Sequence, residues 1–204
     1  EKDKFELLSG FFEGRTTGAP LSFIIRNENK RGKDYEVLTN LYRPGHADYT
    51  YHKKYKNYDP YGGGRSSARE TAGRVIAGAI AKQYLAVSGT SVEANLIQVG
   101  ETQGKLDVLQ AEILKVKQKG NSIGGVIEVV ANGVPVGWGE PTYEKLDARL
   151  AYALMGLNAV KAVEIGDGIN VVGRFGSENN DELTPEGFKS NSSGGILGGI
   201  STGQ

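Results

Sequence analysis

The chain has 204 residues, enough for one domain with a core or two small ones, and 38% of them are apolar, which excludes a disordered polar tract. Twenty-four lysines and arginines balance 24 aspartates and glutamates, so no global field draws the chain to nucleic acid or an anionic membrane, and any anion site must be local. There is no cysteine, and the only histidines are His46 and His52, which excludes disulfides, thiolate metal sites, thiol nucleophiles and a multi-histidine metal centre.

In chain order, residues 5–12 (FELLSGFF) and 21–27 (LSFIIRN) read as strands joined by the turn EGRTTGAP. A polar, tyrosine-studded stretch without clear periodicity runs to Tyr61. Ser67-Ala68-Arg69-Glu70 then fits a capping box with Ser67 as N-cap, and Ala72, Val75, Ile76, Ala79 and Ile80 recur at helical spacing, predicting one buried face. Gly73 and Gly78 weaken that helix by about 1 kcal/mol each, which predicts close packing of another backbone there. Residues 93–100 read as a strand, 106–120 as an amphipathic helix stopped by Gly120, and 124–139 as a strand with a glycine-rich exit. Pro141 suits a first helical position, so a helix is expected through residues 142–157. Residues 159–168 and 169–177 read as two strands around a GDG turn, and the tail is polar and glycine-rich. Strands and helices alternate without a regular repeat, so the fold class expected is α+β.

Three stretches carry chemistry. Gly62, Gly63 and Gly64 run into Arg65, Ser66 and a helix start bearing Arg69. Unpaired amide groups, the positive end of the helix dipole, two guanidinium forks and a hydroxyl suit a phosphate or other polyanion, although a capped surface helix with solvated arginines explains the same residues. It is neither a Walker loop nor a G-x-G-x-x-G fingerprint. In RPGHADYTYHKKY (43–55), Arg43, Gly45 and Asp48 surround His46, a candidate general acid–base; a structural histidine is the competing reading. His52, among lysines and tyrosines, reads as surface, and nucleic-acid binding by that stretch is a minority reading. GSENNDE (176–182) suits a turn, a metal-ligand set or a partner contact equally, with a structural role preferred, and SNSSGGILGGISTGQ reads as a ligand-facing loop or an internal turn.

RPGHADYTY, GGGRSSARET, GEPTYEKLDARLAYALMGLNAVKAVEIGDG, SENNDE and GGILGGISTGQ, in this order and over nearly the whole chain, resemble chorismate synthase. The resemblance implies a β-α-β sandwich core, a cytoplasmic homotetramer, and no nucleic-acid, membrane or metal partner. It implies a lyase of aromatic amino acid biosynthesis. That enzyme eliminates phosphate and a ring proton from 5-enolpyruvylshikimate-3-phosphate, giving chorismate, with reduced FMN and no net redox change. By the resemblance FMN would lend electron density as phosphate leaves and its N5 would help to take the proton; NADP is a further cofactor associated with the family, and the source of reduced flavin is left open. By motif, His46 would be catalytic, Arg43 and Arg69 would bind substrate, and Arg65, Ser66, Ser67, Asn158, Ala159 and Gly198 would bind the flavin. The family's opening SFGESHG-like segment with a second catalytic histidine, and its closing stretch with a catalytic aspartate, have no counterpart here. The domain is therefore expected to be incomplete at both ends and these 204 residues inactive alone, with a ligand-binding or oligomerising module as the alternative.

Overall fold

A computed structural model describes residues 3–28, 32–61 and 67–204. The chain divides into two compact units, Glu1–Gly78 and Ala79–Gln204. The glycines 62–64, Arg65 and Ser66 lie outside the described residues.

In the first unit, β1 (Phe5–Ser9) pairs antiparallel with β4 (Ser22–Ile25), with Phe5 opposite Ile25 and Leu7 opposite Phe23. The strand expected over 5–12 breaks after Ser9, and its last two residues form β2 (Phe11–Phe12), which pairs with β3 (Arg15–Thr16) in a small hairpin closed by Glu13-Gly14. Both turn residues have positive φ, +45° and +81°, the conformation whose twist matches two-residue hairpins. The stretch without periodicity is not irregular throughout. It forms a 3-10 helix over Gly32–Asn40 and then α1 (Asp48–Tyr55). Eight residues, mostly polar, give too short a run for an apolar stripe to show.

Ser67 is an N-cap as expected, but its hydroxyl accepts from Arg69 N at 3.2 Å, and the turn Ala68–Glu70 is 3-10 before α2 (Thr71–Val87) begins. The buried face expected on α2 is not formed: no residue of α2 is buried, Ala72, Ile76 and Ile80 are half-buried, and Val75 and Ala79 are exposed. Nor do its glycines admit another backbone. A Cβ on Gly73 would make ordinary contact with the Phe23 ring at 3.9 Å, and one on Gly78 would meet nothing within 4 Å.

The second unit is built on an antiparallel three-stranded sheet, ordered β6 (Thr102–Gln103), β5 (Ser91–Val99), β7 (Gly125–Asn132). Helix α3 (Leu106–Gln118) packs on β5 and β6 and ends at Lys119–Gly120 as expected. Val99 and Leu109 are the buried apolar residues here, 2% and 0% exposed. Cross-strand pairing puts Val92, Ala94 and Leu96 opposite Ala131, Val129 and Ile127, while Ser91 and Asn95 face Asn132 and Glu128. One face of the sheet is thus apolar and the other largely polar, the period-two alternation of a strand.

Helix α4 spans Leu146–Met155, so it starts five residues after Pro141, not at it. Its N-cap, Lys145, supplies no side-chain acceptor, and the Gly199 carbonyl accepts from Leu146 N instead, at 2.8 Å. The two strands expected around GDG are absent: residues 160–165 carry no assigned secondary structure, and Gly168–Gly173 is a 3-10 helix. The run INVV has the composition of a strand, yet local turn bonds, among them Asn170 N to Asp167 O, win over propensity. A short helix α5 (Gly176–Asn179) and two small hairpins complete the unit, β8 (Leu183–Thr184) with β9 (Gly187–Phe188) and β10 (Ile196–Leu197) with β11 (Ile200–Ser201). Among the described residues no helix is long and apolar enough to cross a membrane.

Candidate functional site

Arg43-Pro44-Gly45-His46 is a β-turn. His46 N donates to Arg43 O at 3.2 Å, and Gly45 has φ +68°, so proline and glycine hold the two central positions that a type II turn prefers. The turn folds two side chains back onto Asp48, the first residue of α1. Arg43 donates bidentately, Nε to Oδ2 and Nη2 to Oδ1, each at 2.8 Å. His46 Nδ1 lies 2.7 Å from the same Oδ1 and 3.1 Å from Arg43 Nη2. Asp48 is buried, 6% exposed, and a buried carboxylate is tolerated only when paired and hydrogen-bonded. Here the Arg43 hydrogen bonds, outweighing the effect of burial, hold its carboxyl down at about 2. The same bond to Asp48 raises the Arg43 guanidinium further above its ordinary range. Asp48 also sits in the first turn of α1, where the helix dipole favours negative charge.

Two groups are left for chemistry. Among the described residues His46 Nε2 and Arg43 Nη1 have no hydrogen-bond partner, and the two side chains are 28% and 33% exposed. The arrangement can present a proton-exchanging imidazole nitrogen beside a guanidinium that binds an anion. His52 is exposed, as its sequence neighbours suggested, yet it is not idle: its Nδ1 lies 2.5 Å from the Tyr42 hydroxyl and its ring lies against Tyr42 and Tyr58. In the same unit, Arg69 donates from Nη2 to Asp3 at 2.6 Å, which lowers the Asp3 carboxyl.

In the second unit, Asn158 and Ala159 follow the C-terminal end of α4, both exposed, and Ala159 has φ +67°. That left-handed backbone disfavours any residue with a Cβ and marks positions where surrounding structure dictates the conformation. Gly198 turns the β10–β11 hairpin whose next carbonyl caps the opposite end of α4. A Cβ there would meet nothing within 4 Å, so a flat ligand has room to lie against this backbone.

A residue that the motif reading passed over holds this second region together. Asp181 accepts from Ser190 Oγ at 2.6 Å, Ser192 N at 2.7 Å, Ser193 N at 2.8 Å and Ser193 Oγ at 2.5 Å. Those bonds, from Ser190 first, hold its carboxyl far below the usual range. The loop so formed docks on the GDG turn, where Asp167 N donates to Ser192 O at 2.9 Å and a Cβ on Gly166 would fall on that same oxygen. Arg174 pairs with Asp167 beside it. The signal in the sequence was three serines within four residues, nine to twelve positions after an aspartate, which suits an Asx-type staple. Within SENNDE, Asp181 thus ties the loop 190–193 in place.

These features define a mixed α+β protein with an arginine and a histidine clamped to one buried carboxylate at a helix start. The family model for chorismate synthase matches residues 1–204. A solved structure described as "Crystal Structure of Chorismate Synthase" is 31% identical, superposes with a TM-score of 0.81, and matches 98% of this chain and 67% of its own length. The chain belongs to the chorismate synthase family.

Proposed function

We propose that this chain carries the proton- and anion-handling part of a reduced-FMN-dependent phosphate lyase. Its substrate would be 5-enolpyruvylshikimate-3-phosphate, which loses phosphate and a ring proton to give chorismate. The observation that supports it most is the Arg43–Asp48–His46 cluster, standing in the RPGHAD motif of a chain of this family. Arg43 Nη1 holds an anionic group of the substrate. His46 moves a proton at Nε2. Arg69 is the second substrate-binding arginine, with Asp3 holding its Nη2 until an anion competes for it.

When bound, reduced FMN would lend electron density to the substrate as phosphate leaves, without net oxidation. By the family's motifs, Arg65, Ser66, Ser67, Asn158, Ala159 and Gly198 are the residues that would hold it. The exposed Asn158 amide and the open side of Gly198 fit a planar, hydrogen-bonding ring. The reading extends to a homotetramer, supported by the exposed apolar side chains of β7, Val126, Ile127, Val129 and Val130. A sedimentation experiment that finds only monomer at micromolar concentration removes that part.

The test of the reaction is phosphate release in the presence and absence of reduced FMN. Release must require the flavin, and His46→Ala must lower turnover more than it weakens flavin binding. Release without flavin, or equal loss of both quantities in the variant, contradicts the proposal.

A further inference from the structure

We infer that Asp48 is a positioning residue. Its carboxylate fixes His46 in the tautomer that carries the proton on Nδ1, leaving Nε2 as the nitrogen that exchanges protons, and it clamps Arg43 so that Nη1 is the edge left for an incoming anion. The inference deepens the reading of His46 and Arg43 given above and rests on it for its catalytic meaning.

The tautomer depends on which atom opposes His46 Nδ1. Three groups approach it: Asp48 Oδ1 at 2.7 Å, Arg43 Nη2 at 3.1 Å and Asp48 N at 3.3 Å. If the ring carried its proton on Nε2, the Nδ1 lone pair would stand 2.7 Å from an anionic oxygen with no hydrogen between them. The two donors nearby, the second N–H of Arg43 Nη2 and the Asp48 amide, stand farther off at 3.1 and 3.3 Å, so neither replaces the 2.7 Å contact with the carboxylate. With the proton on Nδ1, the shortest contact becomes a charge-assisted hydrogen bond to a buried carboxylate, the strongest type available here. The identity of one ring nitrogen is set by the bond that the other makes. Arg43 follows the same logic. Bidentate pairing fixes Nε and Nη2 in the plane of the carboxylate, so the guanidinium cannot swivel and Nη1 keeps both N–H groups. One carboxylate thereby orients both side chains without touching a ligand.

The test is ¹⁵N NMR of the imidazole rings, favoured by a chain with only two histidines; a His52→Gln variant assigns the signals. At about pH 8, His46 should show a protonated Nδ1 and an unprotonated Nε2. Asp48→Ala should lose at least about half of that Nδ1–H population, and Asp48→Glu should restore most of it. A wild-type His46 protonated on Nε2 overturns the inference, as does a folded Asp48→Ala chain with the wild-type ring spectrum. Should Asp48→Ala fail to fold, the wild-type spectrum decides alone. No flavin is needed for these spectra, so the two readings fail separately. A protonated Nδ1 alongside undiminished turnover in His46→Ala leaves Asp48 its orienting role and removes the acid–base role of His46.

Discussion

Protonating Asp48 should loosen the first unit, by an amount that the structure sets. Its carboxyl titrates at about 2 in the folded chain against a reference of 3.8. Each pH unit of separation is worth about 1.4 kcal/mol, so the pair contributes about 2 kcal/mol. Arg43 is one-third exposed, and solvent screening reduces this to about 1–2 kcal/mol. The folded value lies below the unfolded one, so this stability is present in full above the unfolded value, near pH 4, and is lost as pH falls through about 2. Asp48→Asn removes the ionised carboxylate at every pH. The variant should therefore be less stable by about 1–2 kcal/mol at neutral pH and converge on the wild type near about pH 2. Urea unfolding followed by tyrosine near-ultraviolet circular dichroism suits the assay, because seven of the ten tyrosines lie between Tyr35 and Tyr61, while the single tryptophan, Trp138, reports on the second unit. Comparing the two proteins cancels the other carboxylates that titrate low, Asp3, Asp167 and Asp181. Stability curves that stay parallel from about pH 7 to about pH 2 would refute the reasoning.

Other substitutions separate the remaining claims. Asp181→Ala removes four hydrogen bonds to one carboxylate and should destabilise the second unit by about 2–3 kcal/mol in urea unfolding read by Trp138 fluorescence; Asp181→Asn, which keeps an acceptor oxygen, should lose less. Gly166→Ala places a methyl on the Ser192 carbonyl at φ +60° and should cost more than about 2 kcal/mol in the same assay. Gly198→Ala, also at φ +60° but with open space around it, should cost only about 1 kcal/mol for the left-handed backbone while weakening FMN binding measured by fluorescence titration. Gly78→Ala, in mid-helix with nothing within 4 Å, should raise stability by about 0.5–1 kcal/mol and shift the thermal midpoint upward.

Local signals were legible where one short segment decides its own structure. Ser67 could be read as a cap and Gly120 as a helix stop because each acts within one turn. The strand at residues 93–100 and the helix at 106–120 show periods of two and 3.6. Expectations failed where a distant partner decides. Pro141 looked like a helix start, but α4 begins where the Gly199 carbonyl, more than fifty residues away in sequence, supplies its cap. The run INVV looked like a strand, but a strand needs a neighbour, and the GDG turn is docked on Ser192 instead. The apolar stripe on α2 is present in the sequence, yet a stripe specifies only that a face is apolar, not that anything covers it. At the candidate site, Arg43, His46 and Asp48 could be proposed together because a single turn spans them; their common carboxylate became evident only from the distances. Asp181 was not singled out within 176–182, because serines and aspartates are common in loops and a spacing of nine to twelve residues is a weak signal until the partners are seen together.

The most direct test of the account is phosphate release from 5-enolpyruvylshikimate-3-phosphate, measured with and without reduced FMN, by a protein that contains this chain at the full length of its solved relative. The account predicts release that requires reduced FMN and falls at least about a hundredfold in His46→Ala while the flavin dissociation constant changes little. Flavin-independent release, or a His46→Ala protein that turns over like the wild type, would contradict it.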